Sequence, residues 1–232
     1  MAEFAPVLPH GAIVEVFPDI FQVQGTFRMG PGLTITRNMT ILRYGTELAL
    51  VNSVRLDAAG LAALDKLGTV KHLFKVGAFH GADDAFYVDR YHPTFWAPPR
   101  AKHAEGLQHG RDLLEGESPL PDLTVFNFAH AKLPEVTLIL ARHGGLLLPC
   151  DSYQNWTTFA GCSLIGKVVA RLMGFGPTLI GGPWTKAMGP DVRQDFDRLL
   201  QLPFDGLLPA HGTALKTGAK AGLRVALQKR FG

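Results

Sequence analysis

Apolar residues in this chain come in short runs, and most of the runs stop at a turn or at a polar residue. Runs of four to eight apolar residues bounded by turn signals are the mark of buried strands. Ile13–Val23 holds a Pro18-Asp19 turn and predicts two short strands. Leu33–Arg43 and Glu47–Asn52 flank Tyr44-Gly45-Thr46, the pattern of a compact hairpin. Asp57 can cap a helix that carries Leu61, Leu64 and Leu67 at helical spacing and stops at Gly68. Val70–Val76 is the next strand, Asp84–Tyr91 a short helix ended near Pro93, and Phe95–Ala97 a short strand.

The second half repeats this order. Leu123–Phe128, Glu135–Ala141 and Leu146–Leu148 read as strands, the last two joined through Arg142-His143-Gly144-Gly145. Helices follow over Ile165–Met173 and Asp191–Leu202, then a strand at Gly206–Leu208 and a closing helix over Ala219–Lys229. Residues 100–121 carry little pattern and read as loop with one helical stretch, 24–32 reads as a loop, and Gly181-Gly182-Pro183 reads as turn material. Each half runs hairpin, helix, short strand, then His-Gly. This predicts an α/β fold of two pseudo-symmetric halves, with the corners at His80-Gly81 and His211-Gly212 close together. No linker-like segment divides the halves, so one domain over residues 1–232 is expected.

The 232 residues carry 23 Lys and Arg against 20 Asp and Glu. The charges are dispersed, so nucleic acid is not an expected partner. No run reaches the length of a membrane-spanning helix, and no membrane partner is expected. Met1–His10 lacks the cationic and apolar regions of a secretory signal, and the two cysteines form no CxxC pair. A reducing, cytoplasmic setting is the expectation. Nothing in the chain speaks to oligomeric state.

Candidate chemistry sits at the strand ends, where α/β proteins open a crevice. His80 and Asp84 lie in Phe79-His80-Gly81-Ala82-Asp83-Asp84-Ala85-Phe86, four apart at a strand-to-helix junction. Asp151 ends the run Leu146-Leu147-Leu148-Pro149-Cys150, and His211 follows Leu207-Leu208-Pro209-Ala210. His130 follows the strand ending at Phe128. Imidazole nitrogen and carboxylate oxygen are the donors of zinc and iron sites. A helix-capping role for Asp83 or Asp84, an Asx-turn at Asp151 and a core packing role for His211 are the competing structural explanations. Cys150 reads as buried packing rather than a ligand. No phosphate-binding Gly-rich loop and no nucleophile elbow is present.

With these strings in hand, the chain resembles the metallo-β-lactamase superfamily over roughly residues 12–215. That family carries His-x-His-x-Asp-His after a strand, then a single His, a strand-end Asp and a final His. His80 and Asp84 fit the first motif, His130 the single His, Asp151 the strand-end Asp and His211 the last His. The resemblance implies a four-layer αββα sandwich and a metal-dependent hydrolase acting on a small molecule with an ester, amide or phosphoester bond. It implies zinc, with iron or manganese as alternatives, held by His80, Asp84, His130, Asp151 and His211, with Asp84 orienting a water. Ala82 and Ala85 stand where the family has its second and third His, and a register with His80 as the second His is also compatible. One ion rather than two is therefore expected, and a fold-retaining binding or structural module without catalysis is the alternative.

Overall fold

The computed structural model describes residues 4–232; Met1–Glu3, part of the segment read for a secretory signal, lie outside them. Strands β1 (Val14–Phe17), β2 (Ile20–Gly30), β3 (Leu33–Tyr44), β4 (Glu47–Val51), β5 (Thr69–Phe74), β6 (Thr94–Ala97) and β7 (Arg111–Asp112) form one sheet in that order. Strands β8 (Leu123–Asn127), β9 (Val136–Leu140), β10 (Leu146–Leu148) and β11 (Gly206–Leu207) form a second, ordered β11-β10-β9-β8. Helices α1 (Ala58–Leu67) and α2 (Asp84–Tyr91) follow β4 and β5 in the chain. Helices α3 (Leu164–Leu172), α4 (Gly182–Met188), α5 (Val192–Leu199) and α6 (Ala219–Phe231) belong to the second half.

Period-two alternation sorts the strand residues into layers. Ala49 and Val51 of β4, with Val136, Leu138 and Leu140 of β9 and Leu146 and Leu148 of β10, fill the space between the sheets. Their neighbours Leu48 and Leu50 turn to the opposite face, where they meet Leu64 of α1 and Tyr87 of α2. Ile139 and Leu147 turn outward from the second sheet against Trp184 of α4, Phe196 of α5 and Leu223 of α6. The result is helix, sheet, sheet, helix: the αββα sandwich. Both halves contain a parallel pair, β4 with β5 and β10 with β11.

Three segments depart from the sequence reading. The stretch 24–32, expected as a loop, is mostly strand: β2 and β3 pair from Ile20↔Leu42 out to Gly30↔Leu33, with Pro31-Gly32 as the turn. Gly181-Gly182-Pro183, expected as a turn, opens α4, with Pro183 in the first helical turn where its missing N–H costs nothing. Residues 100–121 contain β7 and no helix. Among the described residues no helix is long and apolar enough to cross a membrane.

Candidate metal centre and its cavity

The loop after β5 carries His80, the loop after β10 carries Asp151, and the loop after β11 carries His211. The three side chains converge. Nε2 of His80 lies 3.0 Å from Nε2 of His211 and 3.6 Å from Oδ2 of Asp151, and Nε2 of His211 lies 3.1 Å from Oδ1 of Asp151.

Strand β3 and the segment 154–156 hold His211 in place. Nδ1 of His211 is 2.7 Å from the carbonyl oxygen of Thr36, and Trp156 stacks over the ring. The backbone of the same loop is tied from both sides. Asn38 donates through Nδ2 to the carbonyls of Pro209 and Gly212, and Thr213 N–H donates to the Asn155 carbonyl. A carbonyl can only accept, so Nδ1 of His211 carries a proton. In the neutral ring Nε2 is then a bare lone pair aimed at His80 and Asp151.

Burial lowers His80 to a pKa of about 3, against the pull of Asp151, so this imidazole is neutral. Its Nδ1 is buried with no hydrogen-bond partner. Burial works to raise Asp151, but the His80 and His211 contacts outweigh it and hold the carboxyl below the usual range. Asp151 is therefore ionised. With neutral His211, two electron-rich atoms would face each other 3.1 Å apart. The cluster leaves a place for a positive charge between these atoms, which a metal ion would fill. Two imidazole nitrogens and a carboxylate suit zinc, iron or manganese, and the Thr36 contact is the second-layer anchor that ligand histidines use. The residues fit such an ion at His211 and Asp151; His80 fits as a donor but lacks the anchor on its other nitrogen.

The sequence-derived set does not assemble as a whole. Asp84, at the start of α2, accepts a 2.5 Å hydrogen bond from Ser53 Oγ, and its Oδ2 is buried without a hydrogen-bond partner. Burial raises its pKa, while Ser53, Lys75 and Arg37 oppose the rise. His130 lies elsewhere: its Nδ1 and its backbone N–H are both 2.9 Å from the carboxylate of Asp195 in α5, a residue with no exposed surface.

Several neighbours escaped the sequence reading. Lys75 and Arg37 are buried cations beside the aspartates. Arg37 pairs with Asp83 at 2.5 Å, and Lys75 donates to the carbonyl of Lys102 at 2.6 Å. Burial lowers the Lys75 pKa, with Asp84 and Cys150 opposing. Cys150 does pack between the sheets, yet its Sγ also falls within 4.8 Å of donor atoms of His80 and Asp151. Burial raises its thiol pKa well above the ordinary value, with Asp151 and Glu135 adding to the rise. A lysine inside the apolar run Leu73–Val76 was the one readable signal among these.

Asp151 and His211 also line a cavity of about 610 Å³ whose remaining wall is largely apolar, from Phe27, Ile35, Phe79, Trp156, Val169 and Trp184 among others. The centre therefore sits against a dry wall rather than in an open polar cleft.

This architecture is shared with solved metallo-β-lactamases. The mono-zinc form of the metallo-β-lactamase FIM-1 from Pseudomonas aeruginosa aligns over 96% of this chain and 96% of its own, with 13% identity and a TM-score of 0.70. A metallo-β-lactamase from Pontibacter korlensis aligns over 93% and 98%, with 10% identity and a TM-score of 0.64. One from Hirschia baltica aligns over 96% and 97%, with 14% identity and a TM-score of 0.59. No protein-family model matches the chain, and no curated protein matches it by sequence. The chain has the metallo-β-lactamase fold. At this level of identity the likeness establishes the fold and leaves the chemistry to the site.

Proposed function

We propose that the protein is a metal-dependent hydrolase with a single-ion centre, held by Nε2 of His80, a carboxylate oxygen of Asp151 and Nε2 of His211. The observation that carries this reading is the 3.1 Å approach of His211 Nε2 to Asp151 Oδ1 while His211 Nδ1 is committed to the Thr36 carbonyl. A cation between them removes the repulsion that neutral His211 would otherwise meet. Zinc is the first choice of ion, with iron or manganese from the same donor class. Such an ion supplies Lewis acidity and lowers the pKa of a water to about 7.

The protein's own groups have separable roles. Thr36 and Trp156 orient the His211 ring, and Asp151 brings negative charge to the cavity wall. The apolar wall excludes water from the reacting bond and takes an apolar part of a small-molecule ester, amide or phosphoester. Asp84, assigned a water-orienting role from its motif, is hydrogen-bonded to Ser53 instead and is not among the donor atoms that converge with His80 and Asp151. The free thiols Cys150 and Cys162 fit a reducing, cytoplasmic setting.

A binding module without catalysis is the second reading. Its support is the pair of buried cations, Arg37 and Lys75, that already balance Asp83 and Asp84 where the motif has lost two histidines. One measurement separates the two: elemental analysis per chain of protein purified without chelator or histidine tag. About one equivalent of metal, lost in Asp151→Ala and His211→Ala while circular dichroism stays native, supports the hydrolase. Metal-free protein after incubation with excess zinc overturns it.

A further inference from the structure

Helix α3 is apolar on its solvent-facing side as well as on its inner side. At about 100° per residue, its positions from Leu164 to Leu172, with the C-cap Met173, divide into three sectors. Gly166, Val169, Ala170 and Met173 share one sector and line the cavity. Leu164, Ile165, Val168 and Leu172 share the opposite sector and face solvent, with Leu164 80% and Leu172 82% exposed. Lys167 and Arg171 form a cationic stripe along one edge between them. A surface helix normally gives its outward sector to polar residues; here that sector is wholly aliphatic.

The patch continues beyond the helix. Gly166 lets α3 seat on the β2–β3 hairpin, since a Cβ there would stand 2.2 Å from the Thr34 carbonyl oxygen. The hairpin tip carries Met29, also exposed, and Phe79 is exposed beside His80; both line the cavity that Met173 lines from α3. Exposed apolar side chains thus occur both on the outer face of α3, where Ile165 lies against Gly32 of the hairpin turn, and at the cavity that the inner face lines.

Within the two segments that build the patch, the charges are of one sign, and the nearest acidic group the cavity shows is Asp151 on its inner wall. No Asp or Glu occurs from residue 20 to 46 or from residue 152 to 190, the two segments that build the hairpin and the α3 region, whereas Arg28, Lys167 and Arg171 lie within them. Aliphatic side chains edged by lysine and arginine match the acyl boundary and headgroups of an anionic bilayer. A protein partner or a second copy of this chain would not by itself call for the missing acidic residues.

We propose that the outer face of α3, with Met29 and Phe79, docks on the surface of an anionic lipid bilayer and turns the mouth of the apolar cavity toward the membrane. The attachment is peripheral, so it needs no spanning segment, and it does not depend on an ion at the His80–Asp151–His211 centre. The aliphatic residues enter the acyl boundary while Lys167 and Arg171 reach the headgroups along their own stems. An apolar substrate could then pass from the bilayer into the cavity without crossing water.

The test is co-sedimentation of the full chain with vesicles. One set is phosphatidylcholine with about one third phosphatidylglycerol, the other phosphatidylcholine alone. Binding to the anionic set that weakens with salt is the expected result. The double variant Leu164→Glu, Leu172→Glu should partition at least roughly tenfold more weakly, and Lys167→Glu, Arg171→Glu should lose the preference for the anionic set. All four positions are surface positions, and unchanged melting confirms native folding of the variants. Absence of binding to anionic vesicles overturns the proposal. So does a dimer in sedimentation equilibrium that Leu172→Glu converts to monomer, because the face would then be covered by a second copy.

Discussion

Nε2 of His80 meets Nε2 of His211 at 3.0 Å across 131 residues of chain. The two rings come from different halves of the molecule, one from the corner after β5 and the other from the loop after β11. Their meeting depends on backbone that neither ring controls. The His211 loop keeps its course because Asn38 and Asn155 hold its carbonyl and N–H groups, and because Gly212 turns with φ of 93°.

That turn yields the first prediction. A Cβ on Gly212 would lie 2.1 Å from the Asn155 carbonyl oxygen, in a backbone region that already strains other residues. Gly212→Ala should cost about 1–3 kcal/mol or more in denaturant unfolding. It should also lower the metal content, because His211 is the adjacent residue. Unaltered stability and metal content would show that the loop adapts freely and does not set the ring.

His130 provides a second. It is held by Asp195, and Arg198 donates to the same carboxylate at 3.1 Å. His130→Ala should leave the metal stoichiometry unchanged while costing about 1.5–3 kcal/mol, the range for a hydrogen bond to a charged group. Elemental analysis beside a urea titration reads both. Loss of the ion in this variant would return His130 to the ligand set that its motif position implies.

Asp83 accepts from Arg37 and from the Arg55 backbone N–H, at 2.5 and 2.7 Å, and both charged side chains are buried. Asp83→Ala leaves the Arg37 guanidinium without its counter-charge and should cost about 3–5 kcal/mol. The double variant Arg37→Met, Asp83→Leu should recover part of the loss, since the orphaned charge is then gone. Chemical denaturation of the three proteins measures the difference; equal loss in the single and double variants would assign the cost to packing instead.

Glu135 immediately precedes β9 at a site with 1% exposure, and neither carboxylate oxygen has a hydrogen-bond partner. Burial raises its pKa well above the ordinary value, with Asp151 adding to the rise. The Trp184 indole and the Ala78 and Ser152 backbone groups oppose that rise, but none reaches hydrogen-bond geometry. The folded protein thus holds a proton that the unfolded chain releases above the usual carboxylate range. Between those two pKa values, folding stability falls by about 1.4 kcal/mol per pH unit from this group. Glu135→Gln should remove that slope, so its melting temperature should overtake that of the parent as pH rises from 5 to about 8. Parallel curves for the two proteins would mean that Glu135 is ionised in the fold.

Much of the architecture was legible because its signals are local. Asp57 does cap α1, accepting from Gly60 N–H at 2.8 Å, and Tyr44-Gly45-Thr46 does join β3 to β4. Where local signals were ambiguous, the reading failed. Gly181-Gly182-Pro183 has turn composition, yet proline is equally at home in a helix's first turn, and the buried Trp184 decides for α4. Gly25, Gly30 and Gly32 gave the hairpin tip the look of a loop, while ladder pairing with β3 made it strand.

The chain alone determined which residues stand at strand ends, because alternation and turn chemistry depend on a few neighbouring positions. It placed His80, Asp84, His130, Asp151 and His211 at such ends, but it could not choose their partners. Tertiary structure made that choice by crossing segments far apart in sequence. It brought His80, Asp151 and His211 together, gave His130 to Asp195, and turned Asp84 toward Ser53 and Lys75. It also set aliphatic residues on the outside of α3, where the pattern of apolar positions by itself reads as core. A buried charge or bare imidazole nitrogen is satisfied by whatever the fold puts within a few ångströms of it, and that distance is a property of the packed layers rather than of any stretch of sequence.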